Sequence, residues 1–249
     1  MERIMPPQLV WLHQHHKQCW IVLCTLALLL NTPATAIAGY TPPPRPSAPR
    51  RGTTTLTGVR GGCGGEVKVP LTALAPVQHV GQTISTHPTV VWFVPDQKPY
   101  PIALTLFEAT EKGRGTTLYK TELQSTAGIM SFTLPKDQPG LTTGKQYIWQ
   151  VAVKCDLNRP SKDQWVETLV EVVPIPSDLK TRLAKTNDPL QRSQLYGQSG
   201  FWYDALAEAI KTPRANTLRL ELLKTLSQLE VAEQQTRLTA IAALLEQRP

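Results

Sequence analysis

The chain has 249 residues, of which 41% are hydrophobic and 18% are charged, and its formal net charge is +7. This composition excludes wholesale disorder and allows one domain or two small ones, each with a buried core. The aromatic residues are not interleaved with basic residues as a nucleic-acid stacking platform requires, so we expect no nucleic-acid partner.

An uncharged apolar run, Trp20–Leu30, is followed shortly by the small residues of Ala36-Ile37-Ala38. The run is shorter than the roughly 20 residues that cross a bilayer. Its length and the small-x-small site are typical of a secretory signal, so residues 1–38 are predicted to be a signal peptide cleaved after Ala38. An uncleaved N-terminal anchor is the alternative. We expect a periplasmic or secreted protein that meets the membrane only through its leader.

Removal of the leader would leave two cysteines, Cys63 and Cys155. In an oxidising compartment this pair predicts a disulfide, which would tie a glycine-rich loop to the end of a strand. Neither cysteine belongs to a Cys-x-x-Cys motif or to a His/Cys cluster, so a redox or zinc site is not indicated. We expect no metal and no cofactor.

Residues 39–52 are rich in proline, which fixes φ and lacks an N–H donor. The segment is predicted to be an extended, solvated linker of polyproline character. A proline-rich ligand for a partner domain is the alternative interpretation.

Residues 53–176 contain short apolar runs separated by Gly, Pro and Asp, which is typical of strands. The clearest run places Tyr147, Trp149 and Val151 on one face. The predicted strands are Glu66–Leu71, Thr89–Val94, Ile102–Glu108, Thr116–Leu123, Ile129–Leu134, Gln146–Cys155 and Trp165–Val173. Without intervening helices, they predict an Ig-like or fibronectin-type antiparallel β-sandwich. The Leu-x-x-Gly turn before Tyr147 is similar to the tyrosine corner of such domains, where the tyrosine bonds back to the backbone.

Residues 177–249 change to helical spacing, so the predicted fold class is α+β with a C-terminal α-helical region. Asp188-Pro189 is a helix-start signal. Ser227 to Glu230 has capping-box form and predicts a break, with one long helix as the alternative. Gly200 to Leu206 resembles one tetratricopeptide-type hairpin, for which we expect core packing rather than a peptide groove.

The most polar loop of the predicted sandwich contains Asp156, Asn158, Arg159 and Asp163. Binding residues favour loops on rigid scaffolds, so this loop is a candidate recognition site. Turn chemistry, with a weak exposed Arg159–Asp163 pair, accounts for the same residue types and is the favoured interpretation.

The remaining histidines, His79 and His87, have no accompanying nucleophile elbow or comparable element. The acidic residues near strand ends cannot be paired across a cleft from the sequence. We therefore expect a protein that is not an enzyme.

Several short elements occur in the order found in a known family. They are Arg60-Gly61-Gly62-Cys63, Leu71 to Pro76, His87-Pro88-Thr89, Gly128-Ile129 with Leu134-Pro135, Gly144 to Trp149, Cys155-Asp156 and Trp202 to Leu206. Together they resemble a cyanobacterial secreted family catalogued as domain of unknown function nine-two-eight. The resemblance implies export and a β region followed by an α region, but no activity or catalytic residue. Pro160 departs from the family pattern and leaves the conformation of its loop open.

We hypothesise a non-catalytic cell-envelope module whose partner is an envelope protein or a polysaccharide. One alternative is a carbohydrate-binding or carbohydrate-cleaving module, in which exposed Trp92, Trp149 or Trp165 would stack on sugar rings. The other alternative is peptide capture by the helical hairpin within residues 177–249.

Overall fold

A computed structural model describes residues 39–44, 46–48, 61–212 and 216–247 of the chain. The predicted signal peptide and its cleavage site at Ala38 lie outside these residues. So do Arg60 and parts of the predicted linker.

The described residues form eight strands in two sheets. The strands are β1 (Thr72–Ala73), β2 (Gly81–Thr83), β3 (Thr89–Val94), β4 (Pro101–Thr110), β5 (Gly113–Gln124), β6 (Gly128–Thr133), β7 (Gln146–Val153) and β8 (Gln164–Val172). The three-stranded sheet has the order β1-β3-β6, and the five-stranded sheet has the order β2-β8-β7-β4-β5. All pairs are antiparallel except β2 with β8.

Most of the predicted strands are confirmed, but Glu66–Leu71 is not a strand. Val69 and Leu71 are nevertheless buried, so the apolar alternation was a signal of burial only. Pro70 between them has no N–H to contribute to a ladder, which explains why the segment stays irregular. The short strands β1 and β2 were missed because two or three residues carry no detectable period.

The inner faces of the two sheets share one core. On β7, Tyr147, Trp149 and Val151 are at most 4% exposed, as their alternation predicts. The ring of Phe132 on β6 meets that of Trp149 edge-on, with centroids 5.9 Å apart. Side chains from the two sheets are therefore in direct contact.

Five helices follow in the described part of the chain. They are α1 (Ser177–Leu183), α2 (Pro189–Gln198), α3 (Trp202–Ile210), α4 (Asn216–Leu229) and α5 (Ala232–Glu246). The Asp188 carboxylate accepts the N–H of Leu190 at 3.3 Å, so the predicted start of α2 is confirmed. The predicted break near Glu230 is also confirmed, because α4 and α5 are separate helices. The α+β class is thus observed.

Helix α3 covers one side of the two sheets. The indole N–H of Trp202 donates to the carbonyl of Leu74 at 2.8 Å, and the Tyr203 hydroxyl donates to the carbonyl of Leu169 at 2.7 Å. The Asp204 carboxylate accepts the N–H of Ile84 at 3.0 Å. These bonds reach both sheets, so the helices and strands form one continuous core.

The predicted solvated character of the proline-rich linker is wrong for Tyr40, which is 2% exposed. Its hydroxyl lies 2.7 Å from Nε2 of His79, and its ring meets that of Trp202 edge-on at 5.0 Å. The proline pattern of the segment gave no sign of this contact. The contact forms because burial of a large aromatic ring is strongly favourable. Ser47 is also engaged, because its hydroxyl donates to the Glu171 carboxylate.

Candidate functional site

The two sides of the paired sheets differ in what covers them. Helix α3 closes the side near β1 and β2, whereas β5 and β6 are edge strands with no second strand partner in the described residues. We call the gap between β5 and β6 the open side. The inward side chains there, Tyr119, Leu123, Met130 and Phe132, remain half-buried although their neighbours deeper in the core are buried. The open side therefore presents apolar surface beside unpaired strand edges.

Aromatic rings connect the open side to the core. Tyr119 on β5 stacks on Phe132 on β6 with centroids 5.9 Å apart and planes inclined by 27°. Phe132 in turn contacts the buried Trp149. The aromatic contacts hold the two edge strands at a fixed separation and leave part of each outer ring available to a partner.

A pocket of about 290 Å³ lies beside Tyr119. Its floor includes Leu106, Leu134 and Leu141, and Tyr147 lines it as well. The Tyr147 hydroxyl accepts the N–H of Thr142 at 2.9 Å, so the predicted bond from this tyrosine to the backbone is confirmed. The pocket wall is consequently a fixed turn.

Charged side chains border the open side. Glu122 on β5 pairs with Lys154 at 2.7 Å, and this bond lowers the pKa of Glu122, with a further contribution from Lys120. Lys145 at the pocket rim pairs with Glu108 at 3.1 Å, which raises the pKa of Lys145. This site was not predicted from the sequence. The sign of this site in the sequence was the length and half-apolar alternation of β5. That pattern did not identify β5 as an edge strand, because edge position cannot be determined from one strand.

Cys63 and Cys155 form the predicted disulfide, with their Cα atoms 5.0 Å apart. The glycines around Cys63 form a tight turn, in which Gly62 and Gly65 exchange backbone hydrogen bonds. The N–H of Gly64 donates to the Asp96 carboxylate at 3.0 Å. The loop is thus fastened both covalently and by hydrogen bonds.

The polar groups of the candidate recognition loop bond largely to one another. The Asp156 carboxylate accepts the N–H of Asn158 at 3.1 Å and Nε of Arg159 at 2.7 Å. The expected Arg159–Asp163 pair is replaced by this Arg159–Asp156 pair. Asp163 follows a short 3₁₀ helix, Pro160–Lys162, and one of its carboxylate oxygens is buried without a hydrogen-bond partner in the described residues. Turn chemistry therefore engages most of this loop.

The three tryptophans considered for sugar stacking lie in different environments. Trp92 and Trp149 are 1% and 0% exposed, so neither ring can reach a sugar. Trp165 is half-buried on the outer face of the five-stranded sheet, and the Arg114 guanidinium lies 5.2 Å from its ring centre. Only Trp165 of the three keeps an accessible edge.

Arg114 also forms an ion pair with Glu167, whose side chain is 3% exposed. Burial raises the pKa of Glu167, while the bonds from Arg114 and Gln150 act in the opposite direction. The outer face of the five-stranded sheet therefore contains a carboxylate that depends on its partners for charge compensation.

Both histidines have structural partners. His79 is buried against Tyr40, and burial lowers its pKa. Nε2 of His87 lies 3.0 Å from the carbonyl of Gln138, and Nδ1 lies 3.1 Å from Oγ1 of Thr86. Both ring nitrogens of His87 are thus engaged.

Two buried carboxylates connect the helical region to the β region through backbone N–H groups. Burial raises the pKa of Asp204, which accepts the Ile84 N–H, to about 7. Burial also raises the pKa of Glu230 to about 7, although it accepts the N–H groups of Val77 and Gln78 at 3.0 and 3.1 Å. Through these bonds both carboxylates fasten the helices to the β region.

The aromatic residues of the helical hairpin are committed to the core. Tyr196, Phe201, Trp202 and Tyr203 are all at most 6% exposed. Arg192 lies over the Tyr196 ring and pairs with Glu208 at 3.2 Å. The expected core packing is observed for these side chains.

The described residues contain no group of three or more His, Cys, Asp or Glu side chains arranged to hold a metal ion. Among the helices within those residues, none is both long and apolar enough to cross a bilayer.

The fold and site together define an α+β protein with two mostly antiparallel sheets, a C-terminal helical region and an exposed strand edge beside an apolar gap. The chain belongs to the family described as Domain of Unknown Function (DUF928), whose model matches residues 55–243. No curated protein matches the sequence.

Proposed function

We propose that this chain is a non-catalytic interaction module of the cell envelope, which binds an extended polypeptide segment at the open side. The observation that carries the proposal is the edge of β5, which pairs with no second strand within the described residues, beside the half-buried rings of Tyr119 and Phe132. Such an edge offers backbone donors and acceptors, and the adjacent apolar strip offers burial.

The binding mode would be strand addition. An extended segment would pair with β5, and its alternate side chains would point into the gap between the sheets. One of these side chains would reach the 290 Å³ pocket beside Tyr119. Backbone hydrogen bonds would supply affinity, and the pocket would select the side chain.

A more specific assignment of the fold supports binding by strand addition. We infer a fibronectin-type or Ig-like sandwich from the order of the two sheets, the parallel pairing of β2 with β8 and the bond from Thr142 to Tyr147. In this arrangement α3 occupies one side of the sandwich, and the opposite side is left for a partner.

An exported location is part of the proposal. The Cys63–Cys155 disulfide is compatible with an oxidising compartment, and the apolar leader is compatible with secretion to the periplasm or beyond. A cyanobacterial origin is what the sequence resemblance implies.

Site-specific photo-crosslinking tests the proposal. A photo-reactive amino acid would replace Leu118 on β5, and the matched control would replace Leu157, since both side chains are exposed, by 46% and 73%. We expect polypeptide adducts in the intact envelope from position 118 only, and their loss when Tyr119→Asp is added. Equal labelling at both positions, or none at position 118, would contradict the proposal.

Carbohydrate binding is the second candidate, and the half-buried Trp165 favours it. Its ring is the one surface tryptophan among the three considered, and the Arg114 guanidinium that lies over it also pairs with Glu167. A glycan array decides between the candidates, because binding that is lost in Trp165→Ala but kept in Tyr119→Asp would favour a carbohydrate module.

A further inference from the structure

We propose that the polypeptide held at the open side is β5 of a second copy of this chain, paired antiparallel about a twofold axis at Thr121. This inference rests on the proposed function, and it specifies the partner. The resulting assembly would join two five-stranded sheets into one continuous sheet across the axis.

The charges on the outer face of β5 are complementary to themselves. Lys120 and Glu122 lie opposite Thr105 and Ala103 of β4, so both point to the outer face, and both are exposed. In the proposed register Lys120 faces Glu122 of the second copy. Twofold symmetry repeats this pair on the other side of the axis, which places two opposite-charge pairs directly across the new ladder.

The inner face of β5 fits the same register. Tyr119, Thr121 and Leu123 lie opposite the buried residues Leu106, Leu104 and Ile102 of β4, so they point into the gap between the sheets. The pairing would bring Leu123 of the second copy beside Tyr119, close to the 290 Å³ pocket. Half-buried apolar side chains on both copies would thereby become covered.

Neighbouring registers are unfavourable for physical reasons. An axis at residue 120 places Lys120 against Lys120, and an axis at residue 122 places Glu122 against Glu122, and like charges directly opposite destabilise a strand pair. An axis between two residues would set the inner face of one strand against the outer face of the other. The alternation of inner and outer side chains and the charges on β5 therefore favour a twofold axis at Thr121 over an axis at a neighbouring position.

Lys154 does not prevent this pairing. It already donates to Glu122 at 2.7 Å from the neighbouring part of the sheet, while the Glu122 side chain remains 63% exposed. A carboxylate has two oxygens and can accept from both lysines. Glu122 would then lie between Lys154 of its own chain and Lys120 of the second copy.

Charge exchange provides the test. Sedimentation equilibrium over a range of concentrations would compare the mature chain with Lys120→Glu, Glu122→Lys and the double variant. We expect a reversible dimer that each single change weakens by roughly tenfold, because both symmetry-related pairs become repulsive, and that the double variant restores. The control Lys112→Glu makes the same charge change in the same hairpin outside the paired segment, and it should leave the dimer unchanged.

A second readout locates the axis. Thr121→Cys should form a disulfide-linked dimer on mild oxidation, because paired residues in an antiparallel ladder lie within reach of a disulfide, whereas Thr116→Cys should not. Circular dichroism and thermal unfolding would establish that each variant is folded.

A chain that sediments as a monomer at every concentration, or a double variant that fails to restore the dimer, would overturn the second-copy assignment. Adducts to other polypeptides from position 118 would then leave the proposed function standing. If neither a dimer nor polypeptide adducts were found, both the second-copy assignment and the proposed function would be overturned.

Discussion

The hydroxyl of Tyr40 lies 2.7 Å from Nε2 of His79, so a residue of the proline-rich segment is joined to the loop before β2. Both residues are buried, and the Tyr40 ring also contacts Trp202 of α3. The segment after the predicted leader thus contributes to the core that unites the strands and helices.

Two substitutions of Tyr40 should measure separately how much the packing of its ring and its hydrogen bond contribute to the free energy of unfolding. We expect Tyr40→Ala to lower the free energy of unfolding by about 3–5 kcal/mol, since a large buried ring is removed. Tyr40→Phe keeps the ring and should cost about 1 kcal/mol for the lost bond to His79. Urea unfolding followed by tryptophan fluorescence measures both values, and equal effects would show that the ring is not packed as described.

The Cys63–Cys155 disulfide should contribute strongly to stability. It closes a sequence separation of 92 residues, so its loss should lower the unfolding free energy by about 4.6 kcal/mol in the chain-entropy description. The double variant Cys63→Ser/Cys155→Ser, compared by urea unfolding with the oxidised protein, checks this value. Peptide mass mapping without reduction should show the linked peptides, and detection of two free thiols would contradict the bond.

Stability should fall as the pH rises through the range set by Asp204 and Glu230. Burial raises the pKa of both carboxyls to about 7, so between about pH 4 and pH 7 the folded state binds more protons than the unfolded state. The midpoint of thermal unfolding should therefore be lower at pH 8 than at pH 5, by several degrees. Glu167, with its raised pKa, acts in the same direction, whereas His79, with its lowered pKa, opposes it below about pH 6.5.

Two variants test separately what Asp204 and Glu230 contribute to the pH dependence of stability. Asp204→Asn keeps an oxygen for the Ile84 N–H and should flatten the pH dependence without unfolding the protein. Glu230→Gln places an amide N–H₂ opposite one of two backbone N–H donors, so it should destabilise at every pH. A wild-type pH profile that Asp204→Asn reproduces unchanged would refute the role of Asp204.

Arg114 should be needed chiefly because Glu167 is buried. Arg114→Met removes the partner of a carboxylate that is 3% exposed and should destabilise the protein by about 1–3 kcal/mol. Adding Glu167→Gln removes the uncompensated charge and should recover part of this loss. A double-mutant cycle by thermal unfolding measures the coupling, and purely additive effects would argue against it.

Local signals in the sequence predicted the strands that carry a clear period. The alternation of Tyr147, Trp149 and Val151 identified both β7 and its inner face, because a half-buried strand must alternate. Asp188 and Pro189 located the start of α2 through capping chemistry that acts within a few residues. The two cysteines identified their own pairing because no other cysteine remained in the predicted mature chain.

Contacts between residues that are far apart in the sequence could not be predicted from such local signals. Nothing near Tyr40 in the sequence indicates His79 or Trp202, since these contacts depend on how distant elements pack. The same applies to Trp92, whose type suggested a sugar-binding surface but whose place in the middle strand of its sheet buries it. Even within one loop the partner was not predicted, because Arg159 pairs with Asp156, three residues before it, rather than with Asp163, which follows the short 3₁₀ helix.

The sequence by itself determined the α+β order, most strand positions and the capped start of α2, because each depends on periodicity or on chemistry between near neighbours. It also determined the cysteine pair, because no other cysteine remained in the predicted mature chain. Tertiary structure alone decided that α3 closes one side of the sheets and that β5 and β6 bound the other. Which strand becomes an edge depends on the order of strands in space. The apolar gap beside Tyr119 and Phe132 exists only once that order is set.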